Sequence, residues 1–173
     1  MTIRIEELRS PWAPEIIGGL AGVLADCVEG GASVSFMWPL PVAKAAAFWA
    51  GMAARAANGE AFTLAAWDGE VICGTVTLAL GLPENQPHRA DVTKLLVHRS
   101  ARGRGIGERL MGEIERIAAR EGKSLLVLDT ASPAAEHIYR KLGWNECGVI
   151  PGYALNPDGT PCGTTVFWKQ LAL

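Results

Sequence analysis

Ile3 and Ile5 alternate with Arg4 and Glu6, the period of a strand, and the chain then turns helical from Pro11 to about Val28, with Ile16, Leu20, Val23 and Leu24 on one face. After the loop GGASVSFMWP, a second helical run covers roughly 41 to 57, rich in alanine, anchored by Phe48, Trp49 and Met52 and ended by Asn58 and Gly59. AFTLAAWDGEVICGTVTLAL is two strand-like runs joined at Asp68 and Gly69, the signature of a β-hairpin. RADVTKLLVH reads as a further strand, with Asp91, Thr93, Leu95 and Val97 on one face unless a bulge intervenes.

From Ile106 the apolar positions Ile106, Leu110, Ile114 and Ile117 recur every three or four residues, a half-buried helix that runs to about Gly122. SLLVLD, ending in Asp129, has the continuous apolar character of a strand covered on both faces. Ser132 and Pro133 start a helix over 133 to 142 that carries Tyr139 and stops at Lys141 and Gly143. WNECGVI and TTVFWKQLAL, around a PDGT turn, form a closing antiparallel pair. Strands and helices alternate in the middle and hairpins occupy the flanks, which predicts an α/β (α+β) fold built on a mixed sheet.

No repeat or low-complexity linker divides the chain, and 173 residues is the size of one domain with a full core, so residues 1–173 are expected to be a single unit. Apolar residues make up 49% and charged residues 20%, too hydrophobic for disorder. A formal net charge of −2 gives no overall field for nucleic acid or an anionic membrane. The longest apolar stretch, IIGGLAGVLA, falls short of the roughly 20 residues of a membrane span. Cys27, Cys73, Cys147 and Cys162 have no CxxC pairing and no histidine at zinc spacing, so no metal is expected; they read as buried or free thiols, which points to the cytoplasm.

RSARGRGIGERLM concentrates chemistry in one turn. Glycines let backbone amides converge, the helix that follows adds a partial positive charge at its start, and Arg102 and Arg104 add full charges, a combination suited to a diphosphate. A glycine turn on a solvated basic helix would need one glycine rather than Gly103, Gly105 and Gly107 in alternation. No Lys-Ser or Lys-Thr follows the glycines as a P-loop requires. The dinucleotide fingerprint fails too, because Glu108 and Leu110 stand where its third glycine belongs.

The spelling RxxGxG, Arg102 through Gly107, resembles the acetyl-CoA diphosphate loop of the GCN5-related N-acetyltransferases (GNAT). VTKLLVHRSARGRGIGERLM is similar to that family's strand, loop and helix, and AEHIYRKLGW to its later helix. The shorter words GGASVSFM, LDT, PGY and PDG resemble the tabtoxin-resistance branch of the family, which has a glutamate where this chain has Asp91.

The resemblance implies one mostly antiparallel six- to seven-stranded sheet flanked by about four helices. It implies acetyl-CoA as co-substrate, bound by Arg102, Gly103, Arg104, Gly105, Ile106 and Gly107, with the backbone of Leu96, Val97 and His98 pairing with its pantetheine arm. The acceptor it implies is the amine of a small metabolite, with a toxin such as tabtoxinine-β-lactam among the candidates; a protein N-terminus or lysine, and a non-catalytic acyl-CoA sensor, are the other readings. Homodimers are common among relatives.

Acetylating an amine demands a neutral nucleophile, and an ordinary amine with pKa about 10 must give up its proton. Asp91 and Asp129, at the ends of central strands, are candidate acceptors, although an aspartate at a strand end is as often a cap. Tyr139 is the candidate donor to the departing sulfur, or else an amphipathic core tyrosine; the resemblance favours the donor. His98 and His137 read as solvated side chains. By the same analogy Phe36, Trp38 and Tyr153 flank the amine pocket.

Overall fold

The computed structural model describes residues 2–172; Met1 and Leu173, the outer ends of the first and last expected strands, lie outside the described residues. Seven strands form one sheet: β1 (Ile3–Glu7), β2 (Ala61–Asp68), β3 (Val71–Ala79), β4 (Arg89–Val97), β5 (Leu125–Thr130), β6 (Asn145–Leu155) and β7 (Pro161–Gln170). Their order across the sheet is β1-β2-β3-β4-β5-β7-β6, and every neighbouring pair is antiparallel except β4 and β5. Helices α1 (Pro14–Glu29) and α2 (Val42–Ala57) cover one face, and α3 (Ile106–Arg120) and α4 (Pro133–Lys141) the other.

Each face has its own core. Leu20, Leu24, Trp49 and Leu96 are buried between the sheet and α1/α2, while Ile106, Leu110, Ile114, Leu126 and Phe167 are buried under α3/α4. Trp49 and Phe167 are fully enclosed, and truncating such a residue to alanine costs about 3–5 kcal/mol.

Two elements differ from the sequence expectation. Helix α1 starts at Pro14 rather than Pro11, with Pro14 in its first turn, while Trp12 turns into the core and its indole N–H donates to the Leu8 carbonyl at 3.4 Å. The strand expected over WNECGVI runs on past Ile150: β6 continues through PGYAL, with shifts of register at Glu146/Gly148 and Ile150/Ala154. Pro151 is tolerated there because β6 is an edge strand and needs no donor on its outer side.

The interruption that matters for the site lies in β4. Gly74 pairs with Val97 and Thr75 with Leu96, but Thr77 pairs with Thr93, so β4 carries one residue more than its partner. Lys94 sits in that bulge with a left-handed φ of 55°. The bulge resets the alternation. Ala90, Val92, Leu95 and Val97 all pack on the α3/α4 side, and Leu96 turns to the α1/α2 side. The face expected to hold Asp91, Thr93, Leu95 and Val97 together is therefore split at Lys94.

Candidate active site

The parallel pair β4/β5 stays in register only through Arg89/Leu125, Ala90/Leu126 and Asp91/Val127. Beyond it β4 bends at Lys94 and the two strands part, although both continue, one to Val97 and the other to Thr130. The result is a crevice whose walls are unpaired strand backbone.

The amide of His98 donates to the Cys73 carbonyl at 2.9 Å, and its carbonyl accepts from the Ala101 amide at 2.9 Å. Hydrogen-bonded positions alternate along an antiparallel pair, so Leu96, opposite Thr75, also turns its backbone towards β3, while Val97, opposite Gly74, turns towards the crevice. Of the three backbone positions expected to meet the pantetheine arm, His98 and Leu96 are engaged with the sheet and Val97 is the one that faces the opening. Leu95 shares the parity of Val97; a sequence without its bulge gives no signal for this.

Next comes the glycine turn. A short 3₁₀ turn, Arg99–Ala101, is capped by His98, whose ring Nδ1 accepts from the Ser100 amide at 3.2 Å. Gly103 (φ 75°) and Gly105 (φ 71°) then take the left-handed conformation that costs other residues about 1–2 kcal/mol. Gly105 caps α3 with no side chain, so the amides of its first turn have no side-chain acceptor, and a Cβ at Gly103 or Gly105 would meet nothing within 4 Å. This is an open cradle of N–H groups at the positive end of a helix, and a diphosphate fits it.

The arginines of this turn have partners within the protein. Arg104 is ion-paired with Asp68 at 2.5 Å, which holds that carboxyl below the usual carboxylate range, and Arg102 donates through Nε to the Val97 carbonyl at 3.1 Å. Arg99 binds Asp26 and Glu29 at the end of α1. All three brace the turn against neighbouring elements, beside the open backbone amides. Gly107 also has a packing reason, since a Cβ there would come within 2.9 Å of Ile138 Cδ1 where α3 meets α4.

The two aspartates have different surroundings. Asp91 sits at the closed base of the crevice, ion-paired with Arg89. Asp129 lies two residues past the last paired position of β5, exposed, and accepts a hydrogen bond from the Thr164 hydroxyl at 2.7 Å. It borders a cleft of about 120 Å³ with Val127, Ile150, Tyr153, Thr164 and Val166. A larger cleft of about 350 Å³, lined by Glu7, Arg9, Phe62 and Arg120 among others, includes none of the residues singled out by the sequence.

Tyr139 projects from α4 on the other side of β5. Its ring packs on Trp144 and Phe167 at 5.9 and 5.5 Å between centroids. Burial, reinforced by the charge of Asp129, pushes its hydroxyl well above the usual tyrosine range, and that hydroxyl makes no hydrogen bond to a described residue. Helix α4 is fixed by Glu136, which accepts from Thr165 at 2.7 Å, and by Glu115 of α3, which accepts from the Trp144 indole at 2.8 Å and from Lys169 at 2.7 Å. Asp129 and the buried phenol of Tyr139 thus lie within electrostatic reach of each other from the two faces of β5.

The α1–α2 loop closes over this end. Ser33 donates to the Leu155 carbonyl at 2.9 Å and the Trp38 amide to the Pro157 carbonyl at 3.0 Å, which ties the loop to the β6–β7 hairpin. Tyr153 lines the cleft, Phe36 packs edge-on against Phe48 at 5.4 Å, and Trp38 is half exposed. The sequence reading missed Lys94, whose ammonium donates to the Ser35 hydroxyl at 3.1 Å; a charge in the middle of an apolar strand was the signal for it.

Comparison with known proteins agrees with this geometry. The family model described as "Acetyltransferase (GNAT) family" matches residues 31–144, more than half of the chain. Among solved structures, an N-acetyltransferase from Staphylococcus aureus Mu50 superposes with a TM-score of 0.82 at 15% identity, covering 99% of this chain and 100% of that one. A phosphinothricin acetyltransferase from Sinorhizobium meliloti, solved with acetyl-CoA, gives 0.81 at 16% identity, covering 99% and 90%. A putative acetyltransferase from Salmonella typhimurium, also solved with acetyl-CoA, gives 0.79 at 17% identity over 100% and 96%. At these identities the likeness is one of fold.

Proposed function

Because the chain belongs to the GNAT family of acetyltransferases, we propose that it moves an acetyl group from acetyl-CoA to the amino group of a small metabolite, tabtoxinine-β-lactam being one candidate. The observation that carries this reading is the parting of β4 and β5 beyond Asp91/Val127, directly before the uncapped start of α3. A diphosphate on the amides around Gly103 to Gly107 and a pantetheine arm laid along Val97 would bring the thioester to the side of Asp129.

In this reading Asp129 accepts the proton of the attacking amine, held in orientation by Thr164. Tyr139 gives its proton to the departing thiolate, a role its raised pKa suits because it stays protonated. Asp91, held by Arg89, acts on the geometry of the crevice rather than on the amine. The loop bonded to Leu155 and Pro157 narrows the entrance, which favours a small acceptor over a protein terminus.

The test is free-thiol release from acetyl-CoA over a panel of small amines and short peptides. Release with one or more small amines supports the reading. Release with peptides alone moves the acceptor to proteins, and tight acetyl-CoA binding with no release over the panel points to the sensor.

A further inference from the structure

Among the described residues two that are not glycine have a left-handed backbone, Ser35 at φ 79° and Lys94 at φ 55°, and they are bonded to each other. Such conformations cost free energy and gather where a site demands them. Ser35 lies in the loop that closes the pocket and Lys94 in the bulge that opens the crevice, so the bond joins the two devices that shape the acceptor side.

The ammonium at that junction has no carboxylate within salt-bridge distance among the described residues. Arg89, Arg99 and Arg104 around the crevice each have a carboxylate, but Lys94 forms no ion pair with a described residue. It rests instead on a hydroxyl and on the face of Phe48, 5.5 Å from the ring centroid. Burial lowers its pKa and the charge of Asp129 raises it, so the ammonium lies within electrostatic reach of Asp129. Lys44 adds a second cation at the rim, 6.0 Å over Phe36. A half-buried charge held by a neutral hydroxyl and a ring, with no salt bridge, gains from a ligand that brings an opposite charge into contact with it.

We propose that Lys94, steadied by Ser35, binds the carboxylate of the acceptor, which is therefore a zwitterion: an amino acid or close analogue whose amine is turned to Asp129. This rests on the acetyltransferase reading above and names the substrate class of that site. Lys94 is a specificity residue in it, with no part in proton transfer.

The experiment compares free amino acids with their carboxamides, which keep the amine and lose the negative charge, in thiol release by the wild-type protein, Lys94→Met and Lys94→Arg. The expected result is a preference for acids of about ten- to hundredfold in kcat/KM, the size of one charge-assisted hydrogen bond. Lys94→Met should bring the ratio near one through KM, and Lys94→Arg should retain it. Carboxamides acetylated as well as acids, or a ratio unmoved by Lys94→Met, would overturn the proposal. So would a protein that binds acetyl-CoA in calorimetry yet acetylates no amino acid, an outcome that leaves the family's cofactor site standing. Failure to bind acetyl-CoA at all would instead remove the parent reading.

Discussion

Asp91 stands opposite Val127, and this is the last register pair between β4 and β5. Everything proposed for the site follows from what happens three residues later, where the Lys94 bulge swings β4 away and leaves Asp129 on the far wall. The two carboxylates that the sequence could not rank are thereby separated into a buttressed base and an open end.

Asp129→Asn should lower kcat by about 10²–10⁴, the range for losing a positioned general base, with acetyl-CoA affinity in calorimetry unchanged. Asp91→Asn should act mainly on stability, because it strips Arg89 of its carboxylate. The reverse ranking in thiol release would assign the proton transfer to Asp91.

Tyr139→Phe should reduce kcat without altering the shape of the pH profile. Burial holds the phenol above its ordinary range, so it does not titrate in the working range of the assay and cannot produce an alkaline limb below about pH 10. A limb in that range that vanished in Tyr139→Phe would contradict this account.

Gly107→Val should destabilise the fold by about 1–3 kcal/mol through crowding against Ile138. Adding Ile138→Ala should restore part of that loss, since the new side chain then occupies the space vacated. Urea unfolding of the two single variants and the double variant measures the coupling; strictly additive losses would show that the helices do not meet there.

Much of this was legible in the sequence. The DG hairpin, the capped start of α4 at Ser132 and the glycine turn depend on local chemistry, and each stands where the pattern placed it. What was not legible depends on partners distant in the chain. The bulge at Lys94 is a mismatch between β4 and β3, and no residue in KLLV announces it. Val97 and Asp68, the partners of Arg102 and Arg104, reach them only once the strands fold. The strand pattern of WNECGVI does not extend through PGYAL, where proline and glycine interrupt it, yet an edge strand accommodates both.

Asp26 should make stability depend on pH in a definite direction. Burial raises its carboxyl, but the Arg99 amide and guanidinium, with His98 nearby, outweigh that and hold it below its ordinary value of 3.8. A pKa lowered by folding adds stability above the unfolded value, and that stability is lost as the pH falls through the folded one. Asp26→Asn should therefore be less stable than the wild type at neutral pH, with the gap closing below about pH 4. A gap independent of pH in denaturant titrations would refute the role of this ion pair.

The most direct measurement is a crystal structure with acetyl-CoA bound. The account predicts its diphosphate within hydrogen-bond distance of the amides from Gly103 to Glu108, and its pantetheine arm between β4 and β5 against the backbone of Val97. A diphosphate bound away from the start of α3, or an arm lying outside that crevice, would contradict it.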